Sequence, residues 1–374
     1  MTRLLHFSDL HLDRSFAGLG MASSEAAKRR DELRTALRRI VDLAIARDVD
    51  ALTVGGDLYE HDRVTPDTAI FIRDQFARLA PRPVLIAPGN HDPYVPDGLY
   101  WRLEWPENVH IFESMSWDSV QVGDVAVWGV GHRGLAIRDN LLGQLRIERP
   151  GTHIALLHGS DMSSVPEGKD AHCPFDRADI ERCGAEFVLL GHYHEMRLRP
   201  DGAPRYGYPG SPEPLSFGEE GPHYVFLVNA SPGRVDVEPI QINEVAYQTK
   251  TVDVTGLASS DSVREAIAAL AGDDLASGAI TRVLLAGQAE PELDLDLPAL
   301  YAGTAQCFRY LDLVNRTQLP FDLDQIREEP TTRGAFVRLI EAERGPAAGA
   351  GDDVLKHALQ YGLQAFAGQG IRRR

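Results

Sequence analysis

Residues 84–92 read VLIAPGNHD: an unbroken apolar run passes straight into Gly89, Asn90, His91 and Asp92, residue types that make turns and ligate metals. The same transition occurs in LLHFSDLH (4–11), ALTVGGD (51–57), IALLHG (154–159) and FVLLGHYH (187–194). Runs this short, uninterrupted by polar alternation, are expected as buried strands of a parallel or mixed sheet. Loops beyond the carboxyl ends of strands in open α/β sheets line a ligand crevice, so residues far apart in sequence can meet there. One such strand would mean little; five ending in Asp, Asn or His predict a shared site.

Working outward, 25–47 carries a helical stripe of Leu33, Leu37, Ile40, Val41 and Ala44, and a second helix is expected near 66–79. VHIF (109–112) and VAVWGV (125–130) add strands. Helices alternating with strands imply α/β architecture. After Tyr206 the texture becomes turn-rich β, with YGYPGSPEPLSFGEEG followed by strand-like HYVFLVNA and RVDVEPIQI, which predicts a second sheet packed on the first. The catalytic domain is expected to span 1–245. A strand, helix, strand order in YQTKTVDVTG, SVREAIAAL and ITRVLLAG predicts a small α/β cap over 246–320. The segment 321–374 is expected as a helical tail and candidate partner-binding region, with the Gly/Ala/Pro-rich RGPAAGAGDD before a last helix whose Leu355, Leu359, Leu363 and Phe366 share a face open to a partner or to its own cap.

The composition, 43% hydrophobic and 25% charged over 374 residues, excludes fibrous and disordered classes and suffices for more than one core. MTRLLHFSDLHLD reaches acidic and histidine residues too soon for a signal-peptide core, and no later run approaches a membrane span. A cytoplasmic chain without a membrane partner is expected. Cys173, Cys183 and Cys307 lack C-x-x-C spacing, which argues against a disulfide framework or a zinc knuckle. A net charge of −17 means that ions or a partner must help if the substrate is a polyanion. Lys28, Arg29, Arg30, Arg34, Arg38 and Arg39 are expected along a solvated helix face, and Arg372, Arg373 and Arg374 as a frayed end.

Taken singly, Asp9, His11 and Asp57 are ordinary loop residues, GNHD is a tight turn, and His158 is a core histidine. His192 and His194 share one side of an extended segment, a spacing suited to metal binding. His6 and His153, within strand-like runs, are expected to be structural; His132 and His172 fall in loops able to border the crevice.

The joint pattern D-x-H at Asp9 to His11, G-D at Gly56 to Asp57, G-N-H-D at Gly89 to Asp92, His158, and G-H-x-H at Gly191 to His194 resembles the calcineurin-like metallophosphoesterase superfamily. Within it, DLHLD, GGDL, YPGSPEPLSF and ALQYGLQAF resemble the SbcD-type DNA-repair exonucleases, nearest their YhaO-like branch. The resemblance implies a two-sheet sandwich flanked by helices. It implies one ion on Asp9, His11, Asp57 and His194, and another on Asp57, Asn90, His158 and His192, with Asp57 bridging. It further implies a DNA exonuclease or endonuclease acting through a metal-bridged hydroxide, self-association through the catalytic domain, and an SbcC-like coiled-coil ATPase partner. The imidazole-rich, thiolate-free donor set favours manganese, with iron or zinc as replacements.

His91 is expected to assist at the phosphate, with Asp92 orienting its imidazole. Glu60 stands where several relatives carry Asp or His near the held phosphate; it and His61 are expected as substrate contacts. The rival readings are a phosphodiesterase for a small nucleotide-type substrate and a metal-free scaffold, the latter disfavoured by the intact ligand set.

Overall fold

The computed structural model describes residues 1–165, 170–272, 278–290, 293, 295–318, 321, 323–344 and 352–366. Most of the linker-like RGPAAGAGDD and the three terminal arginines lie outside them. Among the described residues no helix is long and apolar enough to cross a membrane. The chain forms two compact units, Met1–Gln248 and Thr249–Arg374.

The first unit is built on two mixed six-stranded sheets. In one, β1 (Thr2–Phe7), β2 (Ala51–Val54), β3 (Val84–Ile86) and β4 (Val109–Ile111) run parallel in that order. In the other, β5 (Asp118–Val122) borders β6 (Val125–Gly129), β7 (Thr152–His158) and β8 (Phe187–Gly191). That sheet continues through β10 (Tyr206–Tyr208) to the edge strand β9 (Arg197–Arg199). The antiparallel β11 (Tyr224–Ser231) and β12 (Arg234–Gln241) extend the first sheet beyond β1. The turn-rich stretch after Tyr206 thus feeds both sheets rather than forming a separate one.

The sequence alternation explains the layering. Leu4, Ala51 and Leu85 from one sheet meet Val127, Ile154, Leu156, Phe187 and Leu189 from the other in a shared core. The helix Ser23–Ala46 buries Leu33, Leu37, Ile40, Val41 and Ala44, the stripe read from its 3.6-residue period. Each of its larger aliphatics contributes on the order of 1.5–3 kcal/mol by leaving water. The helix Pro66–Ala77 starts at Thr65, whose hydroxyl accepts Thr68 N–H at 3.2 Å, with proline at its first position.

The expectation of a solvated basic face fails for Arg29. It is fully buried, with its guanidinium 5.5 Å from the ring centres of both Phe16 and Tyr247, and donates to the Pro214 carbonyl at 2.8 Å. Arg34 pairs with Asp67, and Arg39 with Glu213 and Glu244, so much of this helix's positive charge is already neutralised. His6 is structural, bonded through Nδ1 to Thr53 Oγ1 at 3.0 Å in its own sheet and through Nε2 to the Leu190 carbonyl at 3.1 Å in the other. All three cysteines are free.

The second unit holds a three-stranded sheet of β13 (Tyr247–Asp253), β14 (Ile280–Ala286) and β15 (Tyr310–Asn315), with β13 crossing the boundary between units. The helix Ser260–Ala269 packs Val263 and Ile267 against Val252, Val283 and Leu285. Leu359 and Leu363 of the last helix, Asp352–Phe366, are buried with Ile326 and Val337. The apolar face considered for a partner is therefore used in large part inside the unit.

Every ligand-type residue of the pattern precedes Gln248, and Glu213 accepts the Val245 N–H at 3.2 Å while Tyr247 packs on Phe217 and Arg29. A chain ending at Gln248 is expected to fold and bind divalent metal by itself, whereas one ending at Val245 should melt lower for want of Tyr247. Calorimetry with and without manganese checks both; a soluble, folded 1–248 fragment that binds no metal would remove the ligand assignment.

Candidate metal centre

The strand order places the ends of β1, β2 and β3 side by side in one sheet and those of β7 and β8 in the other. The sheets can meet here because of glycine: a Cβ on Gly191 would lie 2.0 Å from the Gly55 carbonyl oxygen. Immediately past the strands the backbone turns left-handed. Asp9 (φ 56°), His11 (φ 51°) and Asp57 (φ 53°) occupy conformations uncommon for non-glycine residues, and His192 has φ 116°. Backbone held this way concentrates at functional sites because surrounding contacts must enforce it. The enforcing contacts include His11 N–H to the Asp57 carbonyl at 2.9 Å and His192 N–H to the Asp9 carboxylate at 3.0 Å.

Seven expected ligands converge. His158 Nε2 lies 3.4 Å from Asp57 Oδ2 and 3.1 Å from Asn90 Oδ1, and His192 Nδ1 is 3.2 Å from His158 Nε2. His11 Nε2 is 3.6 Å from Asp57 Oδ2, and His194 Nε2 is 4.0 Å from Asp9 Oδ1. Three groups have ligand atoms all within 4.8 Å of one another: Asp9, His11 and His194; His11, Asp57 and His91; and Asp9, Asp57 and His158.

The residues fit divalent cations. His11 Nε2 is buried without a hydrogen-bond partner, although the ring's other nitrogen is bonded. Burial holds the His11 and His192 imidazoles down to about 3, and His158 well below its ordinary value, so these rings are neutral, as ligands must be. Burial and the neighbouring Asp92 push the Asp57 carboxyl well up. Neither Asp9 nor Asp57 pairs with a lysine or arginine among the described residues. A buried pair of carboxylates with no lysine or arginine partner carries negative charge that divalent ions can neutralise.

The partners of each outer nitrogen fix the tautomers. Nδ1 of His11 meets Glu60 at 2.9 Å, that of His194 meets Glu219 at 3.0 Å, and that of His158 meets the Gly55 carbonyl at 2.8 Å. Each ring then donates from Nδ1 and offers Nε2 to the centre. Glu219, in the YPGSPEPLSFGEEG stretch, was not singled out from the sequence. Its signal was an acidic residue beyond a turn-rich loop, which only the fold returns to His194.

One expectation changes. Asp92 does not hold His91. Its fully buried carboxylate accepts Asp57 N–H at 2.8 Å, Leu58 N–H at 2.7 Å, Gly89 N–H at 2.7 Å and the Tyr100 hydroxyl at 2.7 Å, clamping two ligand loops together. Glu60, expected at the substrate, has one oxygen on His11 and the other 2.9 Å from His91 Nδ1. Burial opposes its ionisation, but the two imidazole hydrogen bonds hold the carboxyl well below the usual range. The Glu60 hydrogen bond in turn raises His91 to about 9.

His91 is 44% exposed at its side chain, and its N–H donates to Asp57 Oδ1 at 2.8 Å. His61 bonds through its backbone to the His91 carbonyl, while its ring faces Asp97 at 4.0 Å. His132 is buried, with Nε2 on the His158 carbonyl, so it does not border the crevice as expected. His172 is half-buried, its ring centre 5.4 Å from that of His192. His153 bonds to the Arg149 carbonyl and Trp128, a structural position.

A cluster of buried carboxylates and imidazoles at converging strand ends, between two mixed sheets flanked by helices, defines a class of metal-dependent phosphoesterases. The calcineurin-like phosphoesterase profile matches residues 2–196, and the chain belongs to that family. It is 29% identical over 260 residues to the uncharacterized metallophosphoesterase YhaO of Bacillus subtilis, covering 67% of this chain and 63% of that one. It is also 28% identical to the DNA double-strand break repair protein Mre11 of Haloferax volcanii, over 71% of this chain and 58% of the relative. Its counterpart in Methanopyrus kandleri is 22% identical over 91% of this chain and 79% of the relative. The matches thus span less than two thirds of the length of the first two relatives.

Proposed function

We propose that this member of the phosphoesterase family is a metal-dependent DNA nuclease, an exonuclease with endonuclease activity also open to it. The observation that carries the reading is the convergence of Asp9, His11, Asp57, Asn90, His158, His192 and His194 around Asp57; similarity to repair proteins supplies the substrate class. One ion would be held by Asp9, His11, Asp57 and His194, the other by Asp57, Asn90, His158 and His192. Donors mixing nitrogen and oxygen without sulfur suit manganese, with iron or zinc as alternatives. When bound, such ions would neutralise charge at the phosphodiester and make a water acidic enough to lose its proton at neutral pH.

The chain's own residues do the rest. Asp57 sits between both halves of the centre. His91, held by Glu60 through Nδ1 and partly open to solvent, is placed to stabilise a phosphate oxygen or protonate the leaving group. The net charge of −17 gives the chain little attraction for DNA of its own, and a DNA-binding partner would offset it. We extend the proposal to a coiled-coil ATPase and a second copy of this chain as partners, and to the cytoplasm as the compartment.

The deciding assay gives manganese-loaded protein end-labelled duplex DNA, single-stranded DNA and a cyclic dinucleotide in parallel. Degradation of DNA is expected. Hydrolysis of the dinucleotide alone would replace the nuclease reading with that of a small-substrate phosphodiesterase.

A further inference from the structure

We propose that Glu60 and Glu219, which ligate nothing themselves, are positioning residues that make the Asp9, His11, His194 half of the centre the tighter of the two metal sites. The inference rests on the two-ion assignment above and goes beyond it, because it ranks the sites and assigns the ranking to two carboxylates outside them.

The asymmetry is geometric. Both imidazoles of the first site are backed by a carboxylate: His11 by Glu60 at 2.9 Å and His194 by Glu219 at 3.0 Å. The second site has none behind its rings. His158 leans on the Gly55 carbonyl, and the His192 imidazole meets no carboxylate among the described residues. A carboxylate behind an imidazole fixes the ring, raises its basicity toward a metal and adds negative charge near the cation. A neutral carbonyl orients the ring but adds no charge.

Both carboxylates are themselves held. Glu219 Oε2 accepts the Ser211 hydroxyl at 3.0 Å and the Leu215 N–H at 3.0 Å, which leaves Oε1 facing His194. Glu60 spans His11 and His91, so the group that orients a ligand also orients the proposed catalyst. Occupancy of the tight site and placement of His91 share one carboxylate.

Manganese titration of the metal-free full chain, followed by the electron paramagnetic resonance signal of the free ion, tests this without any substrate. Wild type is expected to fill in two steps. Glu219→Gln and Glu60→Gln should each weaken the first step by about 10–100-fold and leave the second in place. A separate assay of turnover at saturating manganese should show Glu60→Gln lowering kcat with KM unchanged. Melting curves of the metal-free variants show whether each is folded, and either variant alone suffices. Two equal sites in wild type, or a first step unmoved in a folded variant, would overturn the ranking. Wild type that binds no manganese would overturn the metal assignment as well, whereas failure to cut DNA leaves this titration untouched.

Discussion

With alanine at His158, the purified protein is expected to carry fewer than two divalent ions per chain and to lose turnover in step with the missing ion. His158 is fully buried, its Nε2 lies within 3.4 Å of Asp57 and Asn90, and Nδ1 is committed to Gly55, so alanine removes a nitrogen aimed at the centre. The chief loss should be at the second ion. His91→Ala should behave differently, because the His91 ring is bonded to Glu60 and its backbone, retained in alanine, holds Asp57. Both ions should stay while kcat falls by about 10²–10⁴, the usual contribution of a positioned acid or base. His91 also lies within ligand distance of His11 and Asp57, so geometry permits a direct bond to metal. Elemental analysis beside kinetics separates the roles: an ion lost from His91→Ala, or full activity with both ions present, would end the account of His91 as catalyst.

The convergence of the candidate ligands was legible in the sequence because strand ends and metal-ligating residue types coincide there. A short strand-like run stopping at Gly-Gly-Asp in ALTVGGD, or at Gly-Asn-His-Asp in VLIAPGNHD, marks where a β-strand stops and what it presents. The three helix-flanked strands before Val109 were readable for the same reason. The groups behind the ligands were not legible, since their partners are set by backbone approach and not by spacing. Asp92 neighbours His91 in sequence, yet its carboxylate turns to Asp57, Leu58 and Gly89, because three buried N–H groups without an acceptor would cost more than one solvent-facing ring left free. Glu219 lies 25 residues beyond His194, and only the return of the chain brings them together. Arg29 was misread because a guanidinium between Phe16 and Tyr247 leaves no periodic trace distinguishing it from its solvated neighbours.

Asp92→Ala should therefore resemble neither a catalyst nor a ligand variant, but a failure of the loop that carries both. The carboxylate accepts four hydrogen bonds at a fully buried position, three of them from backbone N–H groups that alanine would leave unsatisfied. Each orphaned donor costs roughly 1–3 kcal/mol, so a loss of at least ~3 kcal/mol is expected. For a unit of this size that lowers the melting temperature by roughly 6–12 °C. The Asp57 and Gly89 loops would part as the clamp goes, and the placement of Asp57 beside the other candidate ligands would go with them, so metal content should fall too. Asp92→Asn tests the same point with little change in volume: its amide presents N–H where an acceptor is needed and should recover only part of the stability. Had Asp92 served to orient His91, alanine there would leave melting and metal content unchanged and reproduce the kinetics of His91→Ala. Thermal melting and elemental analysis of the one variant thus choose between clamp and orienting group, and a melting temperature within a degree or two of wild type with both ions bound would restore the orienting role.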